Sequence, residues 1–486
     1  MSYLSFMELD TNWNFLNSYI KLPSDFYSAV KPSPISKPEL LIYNNLLANE
    51  LGLNELNKET EYLTSVLSGN YTVEGTTPIA QAYGGHQFGY FNILGDGRAI
   101  LLGEIITPME ERFDVQLKGS GKTPYSRRGD GRATLYSMLR EYLISEAMAG
   151  LRIRTTRSLA VVKSNDPIYR QKPEITGVLT RISESHIRVG TFELAARIGK
   201  PEAIKELLNY TIKRHYPDVL ETSNPALSFL KEVMKAQIRL VNSWLKVGFI
   251  HGVMNTDNMS IAGETIDYGP CAFMDHFDAK TVFSSIDEHG RYAYGNQSKI
   301  TKWNLMRFAE TFLHLIDPDV EKSVALAQIE FDKFEEDFNR IWKINHLAKL
   351  GIIKEEDDDE DLLNELFSWM EKEKPDYTNT FRGLLDSYLH ADPLYSSSEF
   401  VEWKAKWQKR VSSVDMYENL LEDYNPAIIP RNHIVEEVLL QASEFDNMAP
   451  FNELLTLLQN PYIRCDFDKY QTPSVLDTGY KTFCGT

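Results

Sequence analysis

The chain has 486 residues, 43% hydrophobic and 12% aromatic, enough to bury large cores and to build two or more domains. Its net charge of -18 argues against wrapping an anionic polymer, so nucleic acid is not the expected partner, and no apolar run reaches the length needed to cross a bilayer. Three cysteines, Cys271, Cys465 and Cys484, are too few for a disulfide framework and lack zinc-ligand spacing; with no visible secretory or transit signal, a cytoplasmic globular protein is expected.

Residues 1–70 read as a helical leading segment. Ser36 is placed to cap a helix with Pro38 in its first turn, and Gly52 to stop it. From 71 the texture changes to glycine-rich turns between short apolar strands. Phe88 to Leu94 and Ala99 to Ile106 flank Gly95-Asp96-Gly97-Arg98, a hairpin signal whose glycines also let backbone amides approach phosphate. The turn is not a G-x-G-x-x-G fingerprint, and an ordinary hairpin explains it equally well.

Phe113 to Lys118 alternates apolar and polar residues and ends in a lysine. Ala133 to Met148 has helical spacing, with Glu141 among its core positions and within pairing range of Lys118. Between them, 119–132 holds Arg127, Arg128 and Arg132 together with Asp130 and Gly131. No Walker A pattern fits there, but the positive charge suits a polyphosphate, and Asp130 can alternatively cap the helix. Gly177 to Ile182 reads as the last strand of a sheet-rich lobe spanning 71–185, with Arg181 and Arg188 about a hinge. Helical patterns dominate 186–460, and 461–486 is a polar tail. Pro225 to Val247 is an amphipathic helix stopped by Gly248. The acidic run at 354–361 reads as solvated surface.

That helix leads into FIHGVMNTDNMSIAGETIDYGPCAFMD, residues 249–275. Met259 to Ile261 and Thr265 to Ile266 are expected to pair as a hairpin bringing Asn258 and Asp267 to one end, two hard oxygen ligands suited to magnesium and bridged phosphates. The stretch resembles a protein-kinase active site. His251 and Asn258 keep the spacing of a catalytic loop, and Asp267-Tyr268-Gly269 stands where Asp-Phe-Gly would. Val253, however, occupies the position of the kinase base and cannot accept a proton. Asp257 is the nearest replacement, expected to be ionised at an ordinary carboxylate pKa.

Five stretches, YGGHQFGYFNILGDGRA (83–99), QLKGSGKTPYSRRGDGRA (116–133), LREYLISEAM (139–148), TRISESHIRVGTFE (180–193) and 251–275, together with the Cys-Gly-Thr terminus, closely resemble the SelO pseudokinase family of protein adenylyltransferases. The resemblance implies an α+β, bilobal protein-kinase-like fold, with a β-rich N-lobe, a large helical C-lobe and extensions at both ends. It implies ATP bound in an inverted orientation, magnesium or manganese as cofactor, and AMP transferred to Ser, Thr or Tyr hydroxyls of protein substrates. Matched by position, Gly95, Gly97, Arg98, Lys118, Asp130, Gly131, Arg181, Arg188 and Asp267 are nucleotide contacts. Glu141 is the partner of Lys118, Asp257 the proton acceptor, and Asn258 and Asp267 the metal ligands. Cys484 stands where selenium-bearing members carry selenocysteine. A conventional kinase and an inactive nucleotide-binding pseudokinase are the rival readings. A reversible Cys271–Cys484 disulfide is a further expectation.

Overall fold

The computed structural model describes residues 3–170, 172–464, 468–474 and 479–483. Among them, nine strands form one antiparallel sheet: β1 (Tyr27–Ala29), β2 (Glu39–Tyr43), β3 (Ile79–Gln87), β4 (Tyr90–Gly95), β5 (Ala99–Ile106), β6 (Arg112–Lys118), β7 (Ala133–Thr134), β8 (Arg157–Tyr169) and β9 (Pro173–Ser183). The order is β1-β3-β5-β6-β9-β8-β2, with β4 on β3 and β7 on β9. From Val189 onward the chain is mainly helical, so the class is α+β.

Both faces of the sheet are covered, which is why β5 reads as a nearly continuous apolar run. On one face Leu63, Val66 and Leu67 of the helix Thr60–Leu67 share a core with Val115, Leu117, Val162 and Val178. On the other, Met138, Leu139 and Tyr142 of the helix Leu135–Gly150 join Leu101, Val161 and Leu179 in the larger core, which continues into the helical half. Side chains alternate along a strand, so with Leu117 turned to the first core, Gln116 and Lys118 of β6 point to the second. The register pairs Gln116 with Arg181 across β6 and β9, so all three meet the helix that carries Glu141.

Three local expectations are corrected. Ser36 caps no helix. Its hydroxyl and amide bind the Asp166 carboxylate, while Glu39–Tyr43 pairs with β8 as an edge strand. The following helix, Asn45–Glu50, is capped by Asn44, whose side chain accepts from Leu47 N at 3.1 Å, and Gly52 follows its end in a left-handed turn (φ 79°). The leading segment is thus not only helical: it supplies β1 and β2, one at each end of the sheet. The strands flanking Gly95-Asp96-Gly97 do not pair with each other. β4 folds back on β3, from Ala82 opposite Gly95 to Gln87 opposite Tyr90, whereas β5 pairs with β6 and β3.

Within 249–275 the expected hairpin is likewise absent. Met259 O accepts from Val189 N and Ile261 N donates to Ile187 O, both at 2.9 Å, while Thr265 N donates to Arg154 O and its carbonyl accepts from Thr156 N. Each arm has an outside partner, so the pair splays around the Ala262-Gly263 turn. Phe249–Ile250 pairs instead with Ala272–Phe273.

The segment after Asp267 is fixed by buried charge. Arg431 NH1 lies 2.5 Å from Asp275 Oδ1 and 2.5 Å from Asp376 Oδ2, all three residues being buried. Removing the one cation strands two desolvated carboxylates. Arg431→Ala is therefore expected to lower unfolding free energy by about 3 kcal/mol, read from urea melts, with a Tm loss to match.

Candidate active site

Strand periodicity brings Lys118 and Arg181 to the same face, and the helix Leu135–Gly150 supplies Glu141. Lys118 Nζ donates to Glu141 Oε2 at 2.6 Å and to Asp267 Oδ1 at 2.7 Å. Arg181 NH1 donates to the same Asp267 Oδ1 at 2.8 Å and reaches Glu141 Oε1 at 3.3 Å, while its Nε and NH2 are held by Gln116 Oε1. Arg188 NH1 donates to Asp267 Oδ2 at 3.2 Å and to Asp257 O at 2.8 Å, with its guanidinium 4.5 Å from the Tyr83 ring centroid. Three cations thus converge on one carboxylate. Lys118 first, then Arg181 and Arg188, outweigh burial and hold the Asp267 carboxyl well below its usual range. Asp267 adopts φ 64°, a left-handed conformation rare outside glycine, which the surrounding contacts sustain.

The loop preceding it is held from beneath. His251 Nε2 lies 2.9 Å from Ile266 O, tying the two ends of the segment. Asn258 Nδ2 donates to Val253 O at 2.9 Å, which leaves the amide Oδ1 as the end able to bind a cation. Asp257 is 8% exposed; Gln87 Nε2 approaches its Oδ2 at 3.4 Å, and its Oδ1 is buried without a hydrogen-bond partner among the described residues. Burial pushes the Asp257 pKa up to about 6, the Arg188 charge opposing, so the expectation of an ordinary carboxylate value is corrected. Asp96, buried behind Gly95, is also raised to about 6 by desolvation, and accepts from Gln81 N and Gln116 Nε2, each at 3.1 Å.

Of the residues expected at the site, Lys118, Glu141, Arg181, Arg188 and Asp267 are in mutual contact, and Asp257 touches the cluster through Arg188. Gly95 and Gly97 lie against Tyr125 and flank Asp96; a Cβ on Gly95 would sit 2.4 Å from the Tyr125 ring. Arg98 is half-buried, its carbonyl accepting from Gly119 N at 2.7 Å. Asp130 does not cap the helix, a role taken by Thr134, and does not join the cluster. It is exposed and chelates Arg170 through both oxygens at 2.9 Å, beside Gly131, which packs on Gly121. Cys271 is buried, its thiol donating to Tyr268 O at 3.2 Å. Its expected partner Cys484 lies outside the described residues, as does Cys465, although Thr482 Oγ1 docks on Pro270 O at 2.7 Å.

Sequence reasoning missed the hairpin of β3 and β4 as a cover for the loop 255–257. His86 N donates to Thr256 Oγ1 at 2.6 Å, Thr256 Oγ1 donates to Glu193 Oε2 at 2.5 Å, and His86 Nδ1 lies 2.5 Å from Glu193 Oε1. Phe88 N donates to Asn255 Oδ1 at 3.2 Å. The signal was the paired glycine in YGGHQFG: a Cβ on Gly85 would come within 2.6 Å of Asp257 Oδ1, so β3 can lie on the loop only without one.

Asn258 Oδ1 and the Asp267 carboxylate are hard oxygens whose chemistry suits a divalent cation, the Asp267 oxygens being engaged here by Lys118, Arg181 and Arg188. No group of three or more His, Cys, Asp or Glu able to hold a metal occurs among the described residues.

Comparison with known proteins defines the class first. Relatives described as protein nucleotidyltransferase YdiU match from end to end: that of Bacillus mycoides is 52% identical over 98% of this chain and 99% of its own length. Those of a Bacillus cereus strain and of Alkaliphilus metalliredigens are 51% and 50% identical with the same coverage. The enzyme is a nucleotidyltransferase. Residues 10–459 match the sequence model described as protein adenylyltransferase SelO, and the chain belongs to that family.

The contact at Gly85 gives a direct test. Gly85→Val is expected to lower AMP-transfer kcat by at least about ten-fold with the melting temperature shifted by only a few degrees; an unchanged kcat would show that β3 does not set the Asp257 position.

Proposed function

We propose that the Lys118, Arg181 and Arg188 cluster binds the ATP triphosphate within a kinase-like, bilobal arrangement, and that AMP passes to a Ser, Thr or Tyr hydroxyl of a protein acceptor in the cytoplasm. The observation that carries the reading is the buried Asp257 carboxyl, whose Oδ1 has no hydrogen-bond partner among the described residues, on a residue whose main-chain carbonyl accepts from Arg188 of the cation cluster. A base needs a free lone pair and a pKa near working pH, and Asp257 has both.

Asn258 Oδ1 and Asp267 would hold magnesium. The ion, when bound, neutralises the triphosphate and the charge of departing pyrophosphate. Lys118, fixed by Glu141, and the two arginines orient the phosphates and stabilise the same developing charge. The acceptor oxygen bonds to the α-phosphorus as the bond to the bridging oxygen breaks, and the hydroxyl proton moves to the Asp257 carboxylate. Gln87, placed on Oδ2, keeps the carboxylate turned for that transfer. Val253 is buried and aprotic at the kinase base position, which disfavours γ-phosphoryl transfer.

ATP labelled separately at the α and γ positions separates the readings: label on acceptor protein from α alone is expected, and label from γ would overturn the assignment. Asp267→Ala should abolish transfer, whereas Asp257→Asn should lower kcat by about 10²-fold or more while ATP affinity changes little.

The pH dependence follows from the sign of the Asp257 shift. The carboxyl is raised, so it is protonated and inactive as a base below about 6 and ionised above it. The acid limb of kcat is expected near pH 6; a limb near pH 4 would place the base elsewhere.

A further inference from the structure

Beside the catalytic loop, and outside the phosphate cluster, the indole of Trp303 is flanked by two guanidinium groups. Arg291 lies 4.9 Å and Arg307 5.4 Å from its ring centroid. The Nε of each is buried and without a hydrogen-bond partner among the described residues. Arg307 shares an NH2 contact with Glu310, one turn along the same helix, Gln297–Glu310. The Arg291 guanidinium has no ion pair among the described residues, the nearby Asp287 carboxylate being taken up by the main-chain N–H groups of Arg291 and Tyr292 at 2.8 and 2.7 Å, although the chain carries 69 acidic side chains against 51 lysines and arginines. In a protein of net charge -18, an arginine side chain with no ion pair among the described residues, stacked beside a second arginine, is a place that an outside anion would complete.

Its position indicates which anion. Trp303 meets the edge of His86 at 5.4 Å, and His86 rests on Thr256. Tyr292, next to Arg291, donates through its hydroxyl to Asn255 Oδ1 at 2.6 Å. Asn255 and Thr256 immediately precede Asp257. The hairpin alongside exposes Tyr90 (79%) and Ile93 (65%), apolar side chains without a covering element. Stacking on an indole holds a guanidinium plane in a set orientation, and its fork of donors matches a carboxylate in two-point contact.

We propose that the Arg291–Trp303–Arg307 stack docks the acceptor protein, gripping a glutamate or aspartate a few residues from the hydroxyl to be modified, with Tyr90 and Ile93 packing on the adjoining apolar residues. The inference rests on Asp257 marking the acceptor side of the site. It makes acidic flanking sequence the basis of substrate selection. Replacing Arg291 by lysine removes the planar fork and the stacking while keeping the charge, so lysine does not substitute fully.

Binding of a short fluorescein-labelled peptide, one serine flanked by glutamates, is measured by anisotropy on the full chain carrying Asp257→Asn, beside its glutamine-flanked counterpart. ATP is left out of the binding assay, so no transfer occurs whichever residue is the base, and a failure of the Asp257 assignment leaves the docking result intact. The glutamate peptide is expected to bind at least about ten-fold more tightly, Arg291→Ala to erase the difference, and Arg291→Glu to favour a lysine-flanked peptide instead. Melting curves and ATP binding confirm that each variant is folded; Arg307→Ala supplies a second, independent variant if Arg291→Glu is not. Equal binding of the glutamate and glutamine peptides overturns the proposal. So does an undiminished preference in Arg291→Ala, or a single-stranded oligonucleotide that binds as tightly as the glutamate peptide.

Discussion

One carboxylate ties the two halves of the molecule together. Asp267, from the helical half, accepts from Lys118 on β6, Arg181 on β9 and Arg188 at the start of the helix Val189–Ile198. Three buried cations near one another repel, and each is costly to desolvate alone. Glu141 and Asp267 offset that repulsion, and with it fix the relative placement of sheet and helices. The same charges that stabilise the fold thereby face the place where phosphate is expected to bind, so structural and chemical roles are not separable at this point.

The cover formed by β3 and β4 depends on that placement. It approaches the catalytic loop through glycine: Gly84 O is the atom a Cβ on Gly190 would strike, at 2.0 Å, and Gly85 stands over Asp257. The network of His86, Thr256 and Glu193 then pins the residue preceding Asp257 from both sides. A carboxylate so enclosed loses water on one oxygen, and the rise in its pKa is the direct result. Close main-chain packing thus supplies most of the rise at the proposed proton acceptor, with repulsion from the Asp267 carboxylate adding to it.

How much of this was legible in the sequence follows from the range of the interactions. Strand alternation at 113–118 and helical spacing at 133–148 are local, and together they set Lys118 opposite Glu141, although Ala133–Thr134 pairs with β9 and the helix starts at Leu135. The hairpin signals misled where long-range pairing won: β4 found β3 rather than β5, and the arms around Ala262-Gly263 paired with 187–189 and 154–156. The position of Asp130 just before a helix suggests a cap, but Thr134 takes that role and Arg170, distant in sequence, holds both Asp130 oxygens. Nothing local marked His86 or Glu193, since their meaning arises only when β3 crosses the loop 255–257. Family resemblance supplied the reaction; the enclosed state of Asp257 required coordinates.

The placement of β1 and β2 at opposite ends of the sheet bears on how the protein is made. A chain emerging from the ribosome amino end first leaves Glu39–Tyr43 without its one strand partner until residues 160–163 of β8 have been synthesised. The sheet cannot close before then, so its assembly is forced to wait on translation, and nascent chains stalled within that interval expose an apolar border that chaperones would have to shield.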